Sequence, residues 1–267
     1  MIEKKEKLQV EVLVAAMNRE PEELAEQMNL DSDAVVINQC DRYGYEQMER
    51  KGHRVRFYSC AERGVGRSRN QAIMKADRDI CLFSDEDICY REGYAQQIAE
   101  EFAKNPRADM ILFQIDVEKD RQTYQITERK RVRWYNCGRY GAVSFAIRTE
   151  SLLDSGIMFS LLFGGGARYS NGEDSLFLME LIRKGLKVYT APVSIGWERT
   201  GYSTWFEGYN RKFFYDRGVL YRYLYHSLAL PMAVRFLLAH GGKMCTQVGR
   251  KQAFDWMLAG IKGKVIK

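Results

Sequence analysis

Two short runs, Val12 to Ala16 and Ile80 to Phe83, are apolar at every position. A strand with one wet face alternates apolar and polar residues. A strand apolar throughout must be covered on both faces, the condition of a parallel sheet between two layers of helices. The segments between supply those helices. Pro21 at a first helical position, with Glu22 and Glu23 behind it, opens a short helix carrying Leu24 and Met28. Ser68 to Ala76 predicts a second helix. Glu92 to Lys104 predicts a third, with Ala95, Ile98, Ala99 and Phe102 on one face and a stop before Pro106. Leu8 to Ala16, Ala34 to Ile37, His53 to Tyr58, Asp79 to Phe83, Met110 to Val117 and Gly141 to Arg148 read as strands. Strands alternating with helices give an α/β fold with a mostly parallel central sheet.

The run ending at Phe83 leads, after Ser84, into Asp85-Glu86-Asp87. Strand ends on the carboxyl side of an open α/β sheet are where such folds bind ligands. Clustered carboxylate oxygens suit a hard divalent cation, which points to a phosphate-bearing substrate. Asp also favours turns, so the triplet alone fits a solvated turn equally well. Upstream, Arg63-Gly64-Val65-Gly66-Arg67-Ser68-Arg69-Asn70 brings arginine forks to a helix start, an anion-binding arrangement that in isolation also reads as a basic surface loop. Downstream, Gly164-Gly165-Gly166 precedes Asn171-Gly172-Glu173-Asp174, whose acidic pair opens an apolar helix ending near Gly185. One acid there complements the helix dipole; two beside a triglycine loop indicate a site.

A strand ending in Asn18, the Gly64-to-Asn70 loop and helix, a strand ending in Asp85-Glu86-Asp87 and a later Gly172-Glu173-Asp174 together resemble family 2 glycosyltransferases of the GT-A fold, over residues 8 to 200. The resemblance implies sugar transfer with inversion from a nucleotide-diphosphate donor, a UDP-sugar favoured, to a hydroxyl of a glycan or lipid-linked saccharide in surface polysaccharide synthesis. It implies a Mn²⁺ or Mg²⁺ ion held by Asp87 and Asp85. It places Asn18 and Asn38 near the nucleoside, Arg67, Arg69 and Asn70 near phosphate, and Asp85 and Glu86 near the ribose or donor sugar. Asp174 would be the general base and Glu173 would orient the acceptor. The chain departs from the family pattern after the second strand, where Asn38-Gln39 stand in the place at which many members carry an acidic base-reading residue. A nucleotidyltransferase, a non-catalytic sugar-binding protein and a phosphohydrolase are the alternatives; the first lacks its Gly-rich loop with Lys after the first strand.

At 267 residues, 46% hydrophobic and 12% aromatic, the chain can bury a large core. Its net charge of +6 comes without dense Lys/Arg tracts, which argues against nucleic acid. Six cysteines without a CxxC pair read as free thiols in a reducing cytosol. The charged Met1 to Lys7 precedes a run too short for a signal peptide core. The basic, aromatic run Glu128 to Tyr135 reads as a solvated strand or loop. After Pro192 the composition turns aromatic and basic, dividing the chain into a GT-A-like domain over 1–200 and a helical extension over 201–267. Ser227 to Ala239, interrupted by Pro231 and Arg235, is too short to span a bilayer and suits an interfacial helix, which predicts a cytoplasmic protein with a peripheral contact on the inner membrane face.

Overall fold

The computed structural model describes residues 7–118, 124–199 and 208–263. Its strands are β1 (Val10–Met17), β2 (Asp33–Gln39), β3 (Gly44–Arg50), β4 (His53–Cys60), β5 (Ile80–Asp85), β6 (Ile88–Tyr90), β7 (Met110–Asp116), β8 (Phe145–Arg148) and β9 (Val188–Glu198). They form one sheet in the order β3-β4-β2-β1-β5-β8-β7-β9-β6. Neighbours from β4 through β2 and β1 to β5 run parallel, as do β7 and β9. The pairs β3/β4, β5/β8, β7/β8 and β6/β9 are antiparallel. The sheet is therefore mixed, parallel from β4 to β5 and reversed at the edge strand β3 and where β8 is inserted between β5 and β7. Residue periodicity reports that a strand is covered on both faces and says nothing of its direction.

Alternation sorts side chains into two cores. Val12, Val14, Ile80, Leu82, Ile111 and Phe113 face α1 (Pro21–Gln27) and α3 (Tyr94–Lys104). Leu13, Cys81, Phe83, Met110 and Leu112 face α2 (Val65–Ile73), α4 (Thr149–Ser155) and α5 (Glu173–Arg183). The C-terminal α6 (Arg211–Tyr225), α7 (Ala229–Met244) and α8 (Arg250–Ile261) belong to this second core, so they extend the sheet's own packing rather than hanging from it. Asp216 of α6 accepts from the backbone and hydroxyl of Ser170, and Arg183 donates to the Leu224 carbonyl. Helices α6 and α8 touch backbone to backbone: a Cβ on Gly260 would sit 2.2 Å from the Tyr215 carbonyl oxygen. Phe213, Phe214 and Tyr221 of the aromatic cluster are buried. Tyr202, Trp205 and Phe206 lie outside the described residues, as does the boundary at 200.

Three strands were not evident in the sequence. β3 is exposed along nearly its whole length and has no apolar face to signal it. β9 contains Pro192, which sits where the register against β7 slips. The three-residue β6 exists only because β9 pairs with it. Within the basic run, Val132 is buried and the Arg131 guanidinium stacks on Tyr189, while Trp134 and Tyr135 are exposed as expected. Of the stretch Ser227 to Ala239, Ser227 and Leu228 lie in a 3-10 turn and the rest falls in α7, and no described helix is long and apolar enough to cross a membrane. All six cysteines are free.

Candidate active site

Parallel pairing of β1, β2 and β5 brings their carboxyl ends to one edge: Ala16 is level with Asn38, and Ala15 with Asp85. Beyond that edge lies a cleft of about 450 Å³ whose wall includes Asp85, Asp87, Glu173, Asp174, Glu198 and Arg217. A cavity of about 560 Å³ at the amino ends, lined by Gln9, Asp33 and Arg78, is on the wrong side of the sheet for this class of fold.

Arg69 organises the cleft. Helix α2 starts at Val65, three residues before the expected Ser68, because Gly64 adopts φ +121° and takes the capping position. This places Arg69 on the buried face of α2, while Arg67, two residues away, points outward to an exposed ion pair with Glu62. Arg69 Nη1 donates to Asp174 Oδ1 at 2.7 Å and to Glu173 Oε1 at 3.3 Å; Nη2 donates to both oxygens of Asp85 at 2.9 and 3.2 Å. The guanidinium stacks on Phe159. Burial opposes its charge, and the charges of Asp85, Asp174 and Glu173 overcome that opposition, holding its pKa above the ordinary value. Arg69, expected near phosphate, is the clasp that binds three carboxylates together. At the helix start, the Gly64 and Val65 amides donate to Gln39 Oε1 and the Gly165 carbonyl.

Other expected donor-site residues brace the rim. Asn38 exchanges two 3.0 Å hydrogen bonds with the Arg19 backbone. Asn18, at φ +52°, donates its amide to the Gln39 carbonyl. Asn70 accepts from the Phe159 amide and donates to its carbonyl. Glu86 accepts from the Met17 amide and from Arg19. Arg199 ties the acidic turn down from outside by donating to the Asp87 and Glu86 carbonyls and to Gln27.

Glu173 and Asp174 open α5. Asp174 Oδ2 accepts from the Ala142 amide at 3.0 Å, and Glu173 Oε2 from the Gly172 amide at 3.1 Å. Gly164, at φ +103°, is required here twice over. No other residue adopts that backbone readily, and a Cβ would lie 2.7 Å from the Glu173 carboxyl carbon. Burial, then the charge of Asp174, pushes the Glu173 carboxyl up to about 7; burial also raises Asp174, against the pull of Arg69. The two titrate as a pair with its acid limb above the ordinary carboxylate range.

Asp87 is different in kind. Among the described residues no side-chain donor reaches its carboxylate, and burial followed by the charges of Asp85 and Glu198 pushes it up to about 6. A carboxylate crowded by carboxylates and lacking a side-chain donor is suited to a cation. No group of three or more His, Cys, Asp or Glu side chains is preassembled around a metal position among the described residues. One or two carboxylates suffice for a hard cation that takes its remaining ligands from water and substrate phosphate. Because Arg69 holds Asp85 by both oxygens, the fit rests on Asp87 more than on the expected pair. Glu198 and Arg217 were missing from the sequence-derived site, since only the pairing of β9 with β6 and the packing of α6 on α5 bring them to it.

The family model for glycosyl transferase family 2 matches residues 15–160, more than half the chain and the stretch that carries the acidic turn and Arg69. The chain belongs to glycosyl transferase family 2. Among solved structures it aligns with S. aureus TarS 1-349 in complex with UDP-GlcNAc at TM-score 0.66 and 15% identity, covering 95% of this chain and 82% of that one. It also aligns with the mannosyltransferase PcManGT from Pyrobaculum calidifontis in complex with GDP-Man and Mn²⁺, at TM-score 0.54 and 14% identity, covering 97% and 75%. Identities this low establish the shared GT-A fold and nothing finer. No curated protein matches the chain. As a family 2 glycosyltransferase, this protein has its acidic turn and its Glu-Asp pair on one cleft at the ligand-binding edge of the sheet.

Proposed function

We propose that this glycosyltransferase moves a sugar from a nucleotide-diphosphate donor to a hydroxyl of a glycan or lipid-linked acceptor, in a single displacement with inversion. The observation that carries this reading is the clasp: one buried arginine fastens the carboxylate from the donor strand, Asp85, to the pair at the start of α5, Glu173 and Asp174. Donor and acceptor chemistry therefore meet at a fixed geometry, the condition for efficient bimolecular transfer.

Asp174 is the general base, and burial raises its pKa above the ordinary carboxylate value, the direction that strengthens a base. Glu173, held by Arg69, Gly172 and the triglycine loop, orients the acceptor. Asp85 faces the ribose or donor sugar. Asn18, Asn38 and Glu86 shape the nucleoside end, and Asn70 and Arg67 support the loop behind the phosphates. A divalent cation, Mn²⁺ or Mg²⁺, held by Asp87 with support from Asp85, would neutralise the charge that grows on the diphosphate leaving group. UDP-sugars are the favoured donors, since structural neighbours were solved with UDP-GlcNAc and UDP, although one holds GDP-Man with Mn²⁺. The deciding experiment is calorimetric titration of UDP- and GDP-sugars with and without Mn²⁺. The donor should bind tightly only with the metal, and Asp87→Ala should abolish that gain. Metal-independent binding and turnover after exhaustive chelation would contradict the reading.

The same reading places the protein on the cytoplasmic face of an anionic membrane, in surface polysaccharide synthesis. Leu230, Val234 and Leu238 form an exposed apolar stripe on α7. Arg235, Lys243, Arg250, Lys251 and Lys262 accompany them, with Asp255 the only acid from 226 to 263. Each cation near such a surface contributes about 1 kcal/mol. Co-sedimentation with phosphatidylserine vesicles at low salt, lost in Leu238→Glu, is expected; no sedimentation of the wild type would remove the assignment.

A further inference from the structure

Arg217 has no counterpart among the other buried arginines of the cleft and the sheet. Arg69 holds three carboxylates, and Arg56 holds Glu11 and Asp77. Arg217, half-buried, lines the same cleft as Asp174, and its Nε, like those of Arg69 and Arg56, is buried without a partner; unlike theirs, its Nη atoms make no hydrogen bond or ion pair with any described residue. The guanidinium carbon lies 5.3 Å from the Phe213 ring centroid and 5.4 Å from that of Phe236. The neighbouring Asp216 offers it nothing, being engaged by Ser170 and Lys212. Burial pulls the Arg217 pKa below its ordinary value, against the phenols of Tyr221, Tyr225 and Tyr209. A guanidinium whose Nε is shut from water with no anion among the described residues to meet it is costly. Two aromatic faces offset part of that cost and fix the plane of the fork, leaving its N–H edges for a ligand.

Position identifies the ligand. One turn beyond Arg217, Leu220 packs where a Cβ on Gly172 would be, which sets α6 directly against the start of α5 and its base. Arg139, exposed, lies on the same wall. The acidic wall of Asp85, Asp87 and Glu198 belongs to the donor and its cation. Resting on the assignment of Asp174 as acceptor base, we propose that the acceptor is an anion, and that Arg217 grips a phosphate or carboxylate oxyanion on it so that the attacked hydroxyl lies at Asp174. Arginine suits this task because its planar fork matches either group through two parallel hydrogen bonds.

The test titrates wild type, Arg217→Gln and Arg217→Lys, each with and without UDP and Mn²⁺, using three probes. Glycerol 3-phosphate stands for a polyol-phosphate acceptor, farnesyl diphosphate for a lipid-linked one and glucuronate for an acidic sugar; glycerol is the neutral control. At least one anion should bind the wild type and lose roughly 10- to 100-fold in affinity in Arg217→Gln, the loss expected when a charge-assisted hydrogen-bonded pair is broken. UDP affinity should stay within about twofold, as suits a group that touches only the acceptor. The anion retained best names the acceptor's source. If Arg217→Gln does not fold, Arg217→Lys, which keeps the charge and loses the fork, should still weaken the same anion. Anion binding equal in all three proteins, or absent from the wild type, overturns the proposal, and so does a parallel loss of UDP affinity, which would assign Arg217 to the donor diphosphate. Anion binding that depends on Arg217 in a protein that does not bind UDP would retain this inference and reject the donor reading.

Discussion

Replacing Arg69 with Met keeps the volume of the side chain and removes its charge. The clasp then leaves Asp85, Glu173 and Asp174 facing one another with no cation between them. Breaking a buried ion pair by removing one partner costs about 3–5 kcal/mol. Asp85 is 37% exposed and Asp174 25%, so water screens part of the orphaned charge and the lower end, about 3 kcal/mol, applies. In a domain of this size each kcal/mol moves the melting temperature by about 2–4 °C, giving a loss of about 6–12 °C at pH 8. The pH dependence has a definite sign. Removing the counter-charge raises the carboxyl pKa values in the folded state only, so the variant takes up protons on folding and regains stability as pH falls. Differential scanning calorimetry of wild type and Arg69→Met at pH 8.5 and 5.5 should therefore show a deficit that shrinks at the lower pH. A deficit below about 2 °C, or one that grows on acidification, would refute the reasoning from buried charge.

The pH dependence of transfer should show an acid limb above the ordinary carboxylate range, because burial raises Asp174 and pushes its neighbour Glu173 up to about 7, and a protonated carboxyl is useless as a base; a rate flat from pH 5 to 8 would mean an ordinary carboxylate. Metal affinity should strengthen as pH rises through about 6, since a proton on Asp87 competes with the cation, and calorimetry with Mn²⁺ at pH 5.5 and 7.5 reads this directly. Gly260→Ala should destabilise despite alanine's better helix propensity, because the added Cβ meets the Tyr215 carbonyl at 2.2 Å; the expected cost is about 1–3 kcal/mol, and a stabilised variant would show that α6 and α8 separate easily.

The apolar run Ile80–Phe83 and the carboxylates after it read correctly, because full burial and strand exit leave a local imprint on residue choice. The Glu-Asp pair at the start of α5 was legible for the same reason. Arg69 was legible and its carboxylate partners were not: an arginine beside glycines looks alike whether it meets phosphate or carboxylate. Its partners Asp85 and Asp174 lie 16 and 105 residues away, brought to it only by the sheet. The side chains of Asn38, Asn70 and Glu86 brace backbone, which only three-dimensional contacts reveal. Arg217 belonged to an aromatic, basic stretch in which no single residue stands out; its lack of a partner is a property of the packing.

As the proposed base, Asp174 would act on the acceptor alone. The most direct test is Asp174→Asn, which keeps shape and the Ala142 hydrogen bond while removing the proton acceptor. Donor affinity by calorimetry and the initial rate of sugar transfer are measured on wild type and variant. The account predicts donor affinity within about twofold and transfer lowered by roughly 10²- to 10⁴-fold. Near-normal transfer would contradict it and turn attention to Glu173, whereas lost donor binding in a folded variant would move Asp174 from the acceptor's side of the cleft to the donor's.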